Sequence, residues 1–243
     1  MSRLKNAIRW LAYPGLDLHT RNRGSMRRFW KSGARDVLDA GSGNGYLAWL
    51  AYRSGATVVA MNHDAGEIAK ARELLLGYRA CDPARLAFEQ RDLYDLAAET
   101  RRFDEIVCSE VLEHIRRDGE VVREFFRILR PGGYLHLCCP YRLHPRHQAE
   151  VLDEHESGGH VRAGYTYDEY RALLEPAGFV IDRFAGIGDA GVYQADRVLR
   201  GIRGRLGDLA ALPLAPLALP FVWAARLDPP TPFSLYVRAV RPR

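Results

Sequence analysis

Residues Val37–Gly45 read VLDAGSGNG, and this stretch decides the fold. An apolar run, Asp36–Ala40 (DVLDA), enters a turn with glycine at 41, 43 and 45, and Tyr46–Arg53 follows with helical character. Glycine admits positive φ and lets a ligand approach the backbone closely. A helix N-terminus behind such a turn favours an anionic group. In open α/β sheets, ligands bind beyond the carboxyl ends of strands at a topological switch point, so the turn reads as a nucleotide-type site. It is not a P-loop, because no lysine follows the glycines. It also lacks the dinucleotide spacing G-x-G-x-x-G, whose third glycine would fall at Tyr46.

Outward from the turn, short apolar runs alternate with helical stretches. Thr57–Asn62 predicts a second strand, and Asp64 an N-cap for a helix over Ala65–Arg79. Leu86–Arg91 and Phe103–Ser109 predict the third and fourth strands. Glu120–Leu129 predicts a helix that stops at Pro131-Gly132-Gly133. Tyr134–Cys139, Phe179–Phe184 and Phe233–Val240 predict three more strands, with a helix over Tyr167–Glu175 capped by Thr166. Strands separated by helices imply βαβ units, a parallel sheet and an α/β fold with helices on both faces.

The chain of 243 residues, 47% hydrophobic and 27% charged, is long enough for a sizeable core and excludes global disorder and a polytopic membrane protein. The net charge of +5 is unevenly placed: residues 1–35 hold nine Lys/Arg and one acid, leaving the rest slightly acidic. We therefore divide the chain into a basic N-terminal arm or lid (1–34) and one domain (35–243) with an insertion at 187–232. Leu4, Ile8 and Leu11 share one helical face in the arm, which suits packing on the domain or lying on an anionic membrane. Cys81, Cys108, Cys138 and Cys139 form no CxxC pair and read as reduced core thiols of a cytoplasmic protein. No signal peptide is evident. In the insertion, Leu209–Ala225 has no charged or polar side chain, yet Pro213, Pro216 and Pro220 argue against a membrane span. It reads as a cap of short helical turns packed on the sheet, as a hydrophobic lid over an apolar or lipid-linked substrate, or as a homodimer surface.

VLDAGSGNG, VVAMNHD (Val58–Asp64), QRDL (Gln90–Leu93), FDEIVCSEVLEHI (Phe103–Ile115) and RILRPGGYLHLCCP (Arg127–Pro140) occur in this order. Together they resemble the class I S-adenosylmethionine-dependent methyltransferases. The resemblance implies a Rossmann-like, seven-stranded sheet with one reversed strand, Phe233–Val240, inserted beside the fifth. It implies that Asp39, Gly41, Ser42, Gly43 and Gly45 hold the amino-acid end of S-adenosylmethionine. Asp92 would bind adenine, with Arg91 and Leu93 flanking the ring. Ser109 and Glu110 would sit under the sulfonium. The family's ribose-binding acid falls on Asn62, beside His63, with Asp64 as a substitute; an amide lacks the charge-assisted pair of bonds.

For the chemistry, Asn-Pro-Pro-Tyr and Pro-Cys pairs that would suit nucleobase attack are absent after the fourth strand. The chain reads SEVLEHI instead. Glu110, Glu113 and His114 stand at i, i+3 and i+4, so a helix starting here would gather them on one face, with His114 as general base and Glu110 beside it. The same spacing resembles that of the ubiquinone-pathway O-methyltransferases, which implies a divalent-cation set of Glu110, Glu113 and His114 as a minor alternative to a metal-free site. The segment GGHVRAGYTYDEY (Gly158–Tyr170) resembles methyltransferases found with glycan and glycolipid assembly, and places His160, Arg162 and Tyr165 at the acceptor. The resulting expectation is O-methylation of a small-molecule, sugar or lipid-linked acceptor, with peripheral contact at the inner membrane face. The alternatives are a cofactor-binding partner or regulator without catalysis, and a nucleic-acid methyltransferase, which the acidic body disfavours.

Overall fold

Strands β1 (Asp36–Ala40), β2 (Thr57–Asn62), β3 (Leu86–Gln90), β4 (Phe103–Ser109), β5 (Leu129–Pro140), β6 (Val180–Ile187) and β7 (Ser234–Val240) form one sheet. The computed structural model describes residues 18–31, 33, 35–207 and 212–243. The strand order is β3-β2-β1-β4-β5-β7-β6. β7 runs antiparallel to both β5 and β6, and the other pairs are parallel. All seven strands expected from the apolar runs are present, as is the reversed one.

Central strands buried on both faces read as near-continuous apolar runs. Val37, Leu38 and Ala40 of β1, and Ile106, Val107 and Cys108 of β4, accordingly face one of two core clusters that lie on opposite sides of the sheet. The four cysteines are free and buried.

Helices α1 (Leu18–Arg23), α2 (Tyr46–Arg53), α3 (Ala65–Arg72), α4 (Asp118–Ile128), α5 (Pro145–Gln148), α6 (Tyr167–Leu174), α7 (Ala190–Leu206) and α8 (Ala215–Ala224) surround the sheet. Val121, Val122, Phe125 and Ile128 give α4 the buried stripe that period 3.6 demands. α3 is shorter than the predicted helix; it widens over Glu73–Tyr78, where Arg79 N–H reaches back to the Leu74 carbonyl. β5 starts at Leu129, earlier than predicted. A Cβ at Gly133 would lie within 3 Å of the Leu129 side chain and of the Arg130 and Asp104 carbonyls, so only glycine lets the corner fold back onto β4.

The described part of the arm is tied into the body. Met26 lies in the core. Buried Glu105 accepts the Lys31 amide at 2.7 Å, pairs with the Arg35 guanidinium, and lies 3.2 Å from His136 Nε2. His136 Nδ1 in turn meets the Tyr236 hydroxyl at 2.8 Å. The amphipathic face of Leu4, Ile8 and Leu11 lies outside the described residues. The apolar stretch Leu209–Ala225, described from 212 onward, does not lie on the sheet. It forms a turn and then α8, which packs on α1 and α7 through Leu18, Val192, Leu199 and Ala218.

Candidate active site

The carboxyl ends of β1, β2 and β4 meet where the strand order reverses, and the glycine turn closes this crevice. Gly41 and Ser42 N–H both donate to the Met61 carbonyl, at 2.9 and 2.8 Å. Gly41, Gly43 and Gly45 take φ of +79°, +48° and +77°. A Cβ at Gly45 would press on Leu75 and Phe88, so this glycine serves packing, whereas at Gly43 it would meet nothing within 4 Å. Gly43 opens onto a cavity of about 600 Å³.

Of the residues expected at the site, Gly41, Gly43, Asn62, His63, Arg91, Asp92, Leu93, Glu110 and His114 line this cavity. Asp39 and Ser42 are buried behind the turn. Asp39 accepts the Ala48 amide at 2.8 Å and so fixes the start of α2; burial raises its pKa to about 7. Ser109 is not among the lining residues. Asp64 does not line the cavity either: its Oδ1 accepts the Gly66 and Glu67 amides, which makes it the cap of α3. At the end of β2 this leaves Asn62, whose Oδ1 accepts the Asp64 amide at 3.1 Å and whose Nδ2 is not engaged in that bond. Asp92 both lines the cavity and caps the next turn through the Tyr94 amide at 2.9 Å.

The helix expected to gather Glu110, Glu113 and His114 does not form. Glu110, whose N–H continues the β4–β5 ladder to the Cys138 carbonyl at 2.7 Å, adopts a left-handed φ of +56°, and only a single tight turn follows over Leu112–His114. The Glu110 carboxylate lies 3.5 Å from Arg23 and accepts the Ser234 hydroxyl at 3.1 Å. The three residues therefore diverge. His160 replaces Glu110 in the cluster: ligand-type atoms of Glu113, His114 and His160 lie within 4.8 Å of one another.

His114 Nδ1 is 3.0 Å from the Gly159 carbonyl. A carbonyl only accepts, so Nδ1 carries the hydrogen, and neutral His114 presents an unprotonated Nε2. Burial holds its pKa below the usual histidine value. His160 packs edge-on to it, with ring centroids 4.6 Å apart, and its own Nδ1 meets Glu150 at 3.0 Å.

Glu113 is fully buried, and neither of its oxygens has a hydrogen-bond partner of normal geometry among the described residues. Burial, reinforced by Glu110, pushes its carboxyl well above the ordinary 4.5 and holds it neutral. The folded chain thus keeps a proton that the unfolded chain releases, so this group makes stability fall as pH rises above about 4.5. Glu113→Gln, neutral at every pH, is expected to melt above the parent near pH 8, by about 2–4 °C for each kcal/mol gained. The gap should close toward pH 4, and thermal melts at the two pH values check it.

Arg162 and Tyr165, expected at the acceptor, are instead committed to the scaffold. Arg162 pairs with Asp118 and donates to the Ile115 and Arg116 carbonyls, at 2.7 and 3.1 Å. Tyr165 is buried, donates to Asp118 at 2.7 Å and stacks on Tyr170. Both clamp the segment that carries His114. The sequence reading did not single out Tyr94, Val111, Ile115, Glu156, Ser157 and Gly158, which complete the cavity wall. Glu156 accepts the Tyr94 hydroxyl at 2.7 Å and the Arg116 amide, pinning the 153–159 loop across the opening.

A family model described as a methyltransferase domain matches residues 38–137, which hold the turn and the ends of β1, β2 and β4. Residues 38–137 form a domain of the class I S-adenosylmethionine-dependent methyltransferase type. This methyltransferase domain is 37% identical over 107 residues to the ubiquinone biosynthesis O-methyltransferase of Xanthomonas oryzae pv. oryzae, covering 44% of this chain and 43% of that protein. The chain spans about half the length of the curated relatives it matches, 55% and 43% for two of them. Its fold is similar to phosphoethanolamine N-methyltransferase 2 of Haemonchus contortus (TM-score 0.62, 16% identity, 92% of this chain and 53% of that one). It is also similar to the cyclase SpnF (TM-score 0.63, 18% identity, 92% and 80%). One fold therefore carries different reactions, and the chemistry must be argued from the site.

Proposed function

We propose that this domain transfers a methyl group from S-adenosylmethionine to a hydroxyl of a small-molecule, sugar or lipid-linked acceptor. The observation that supports this most is the tautomer of His114, whose Nδ1–H is held by the Gly159 carbonyl in the wall of the cavity. Nε2 is then a base kept unprotonated near neutrality by burial. It accepts the acceptor's hydroxyl proton during in-line attack. His160 and the Arg162–Tyr165 clamp hold the imidazole in place. Because the proton has a destination in Nε2, the reading invokes no divalent cation.

The residues present fit the cofactor. Gly43 is open to the cavity where a side chain would intrude, and the turn stands at the start of α2. The turn, with Asp39 behind it, would hold the amino-acid end. Asn62 would meet the ribose, and Asp92 with Leu93 and Arg91 the adenine. When bound, S-adenosylmethionine supplies a methyl group on a sulfonium, ready for displacement by oxygen.

Incubating the protein with the cofactor and panels of phenolic, sugar and lipid-linked acceptors, with S-adenosylhomocysteine as readout, tests the reading. Cofactor binding without turnover on any acceptor would favour a binding partner instead. For the ribose contact, Asn62→Asp is expected to tighten cofactor binding about fivefold, the ~1 kcal/mol that separates a neutral from a charge-assisted bond. Calorimetric titration checks it, and unchanged affinity removes Asn62 from the ribose.

A further inference from the structure

α8 reads APLALPFVWA and has no charged or polar side chain. Ala218 faces inward, but Leu217 is 71% exposed, Phe221 49% and Trp223 77%. Ten residues of helix span about 15 Å, half a hydrocarbon core. Among the described residues, no helix is long and apolar enough to cross a membrane. An apolar surface of this kind needs a cover.

The adjacent helix indicates which cover. α7 carries Arg197, Arg200, Arg203 and Arg205, interleaved with exposed Val198 and Leu206, and Arg226 follows α8. The one acid of α7, Asp196, is buried and receives the Leu18 amide and Arg200. A two-fold pairing of this face with a second copy would set arginine against arginine. Anionic lipid headgroups complement the same arginines, and an apolar face ending in Trp beside Arg is the pattern of a helix lying in the bilayer interface. α1 connects the surface to the cavity wall: it packs on both helices, and its last residue, Arg23, lies 3.5 Å from Glu110.

We propose that α7 and α8 form a docking surface for a bilayer containing anionic phospholipid. The proposal stands whether or not the acceptor is a lipid. Flotation of the whole chain with vesicles tests it. The protein is expected to float with phosphatidylcholine vesicles containing about one third phosphatidylglycerol at moderate salt, and to stay behind with phosphatidylcholine alone. The triple change Leu217→Ser, Phe221→Ser, Trp223→Ser should weaken partitioning roughly a hundredfold or more. Arg197→Glu with Arg205→Glu should weaken it at least about tenfold. All five side chains are exposed, so melting temperature and cofactor affinity should hold, which separates lost docking from misfolding. Failure to float with either vesicle overturns the proposal, as does flotation that neither variant alters. A dimer that the triple change dissolves, in a protein that does not float, assigns the surface to a second copy and also overturns it.

Discussion

Replacing His114 by asparagine is expected to lower turnover roughly 10²- to 10⁴-fold, the usual worth of a positioned base. Cofactor binding should be retained, because the imidazole touches none of the turn, Asn62 or Asp92. Asparagine keeps a donor for the Gly159 carbonyl, so the 153–159 loop keeps its anchor while the proton acceptor is lost. The pH profile carries the sharper test. In the parent, turnover should fall on the acid side as Nε2 becomes protonated, with an apparent pKa below the ordinary 6.5, since burial disfavours the imidazolium. In the variant that acid limb should flatten. Single-turnover rates across pH, with calorimetry for binding, check both parts, and an unchanged rate would remove the imidazole from the chemistry.

Gly41→Ala should have the largest effect on the site as a whole. Two costs combine. The φ of +79° is unfavourable for any residue with a Cβ, by roughly 1–2 kcal/mol. The added methyl would also overlap the Val111 side chain, and overpacking of this kind costs about 1–3 kcal/mol. The turn cannot relax freely, because the Gly41 and Ser42 amides are both held by Met61. A melting temperature lower by roughly 5–15 °C is expected, with cofactor affinity reduced in step. Adding Val111→Ala should restore the packing share and leave the backbone share. Gly43→Ala should behave differently: its φ of +48° carries the backbone share, but open space around it adds no packing share, so stability should fall less than in Gly41→Ala while cofactor affinity falls strongly. Melting curves and titrations on the three variants separate the two costs.

These expectations rest on features that differ in how far they can be read from sequence. Every strand was legible, since each is a short segment rich in apolar residues, of the length a strand requires, set off by turn or helix signals. The place of β7 between β5 and β6 was not contained in any periodicity and came from the family resemblance. The cofactor side of the cavity was legible because glycine spacing is a local property. The reacting side was not. The spacing of Glu110, Glu113 and His114 says nothing about φ, and the left-handed φ of Glu110 turns the backbone where a helix was expected. Arg162 read as an acceptor contact in a glycine-rich loop because its partner, Asp118, lies 44 residues away. Glu156 escaped notice for the same reason, since Tyr94 is 62 residues distant.

The position of β7 also orders assembly in time. It emerges from the ribosome after β6 but must lie between β6 and β5. Until then β6 has no strand to pair with, while β1 to β5 can already adjoin one another. β7 also secures the earliest segment, because Arg238 donates to the Phe29 carbonyl at 2.8 Å, and Tyr236 stacks on Phe29. First and last parts of the described chain are thus locked by one strand. The crevice of β1, β2 and β4 can form during synthesis, whereas Ser234, which holds the Glu110 carboxylate, arrives only with the final strand.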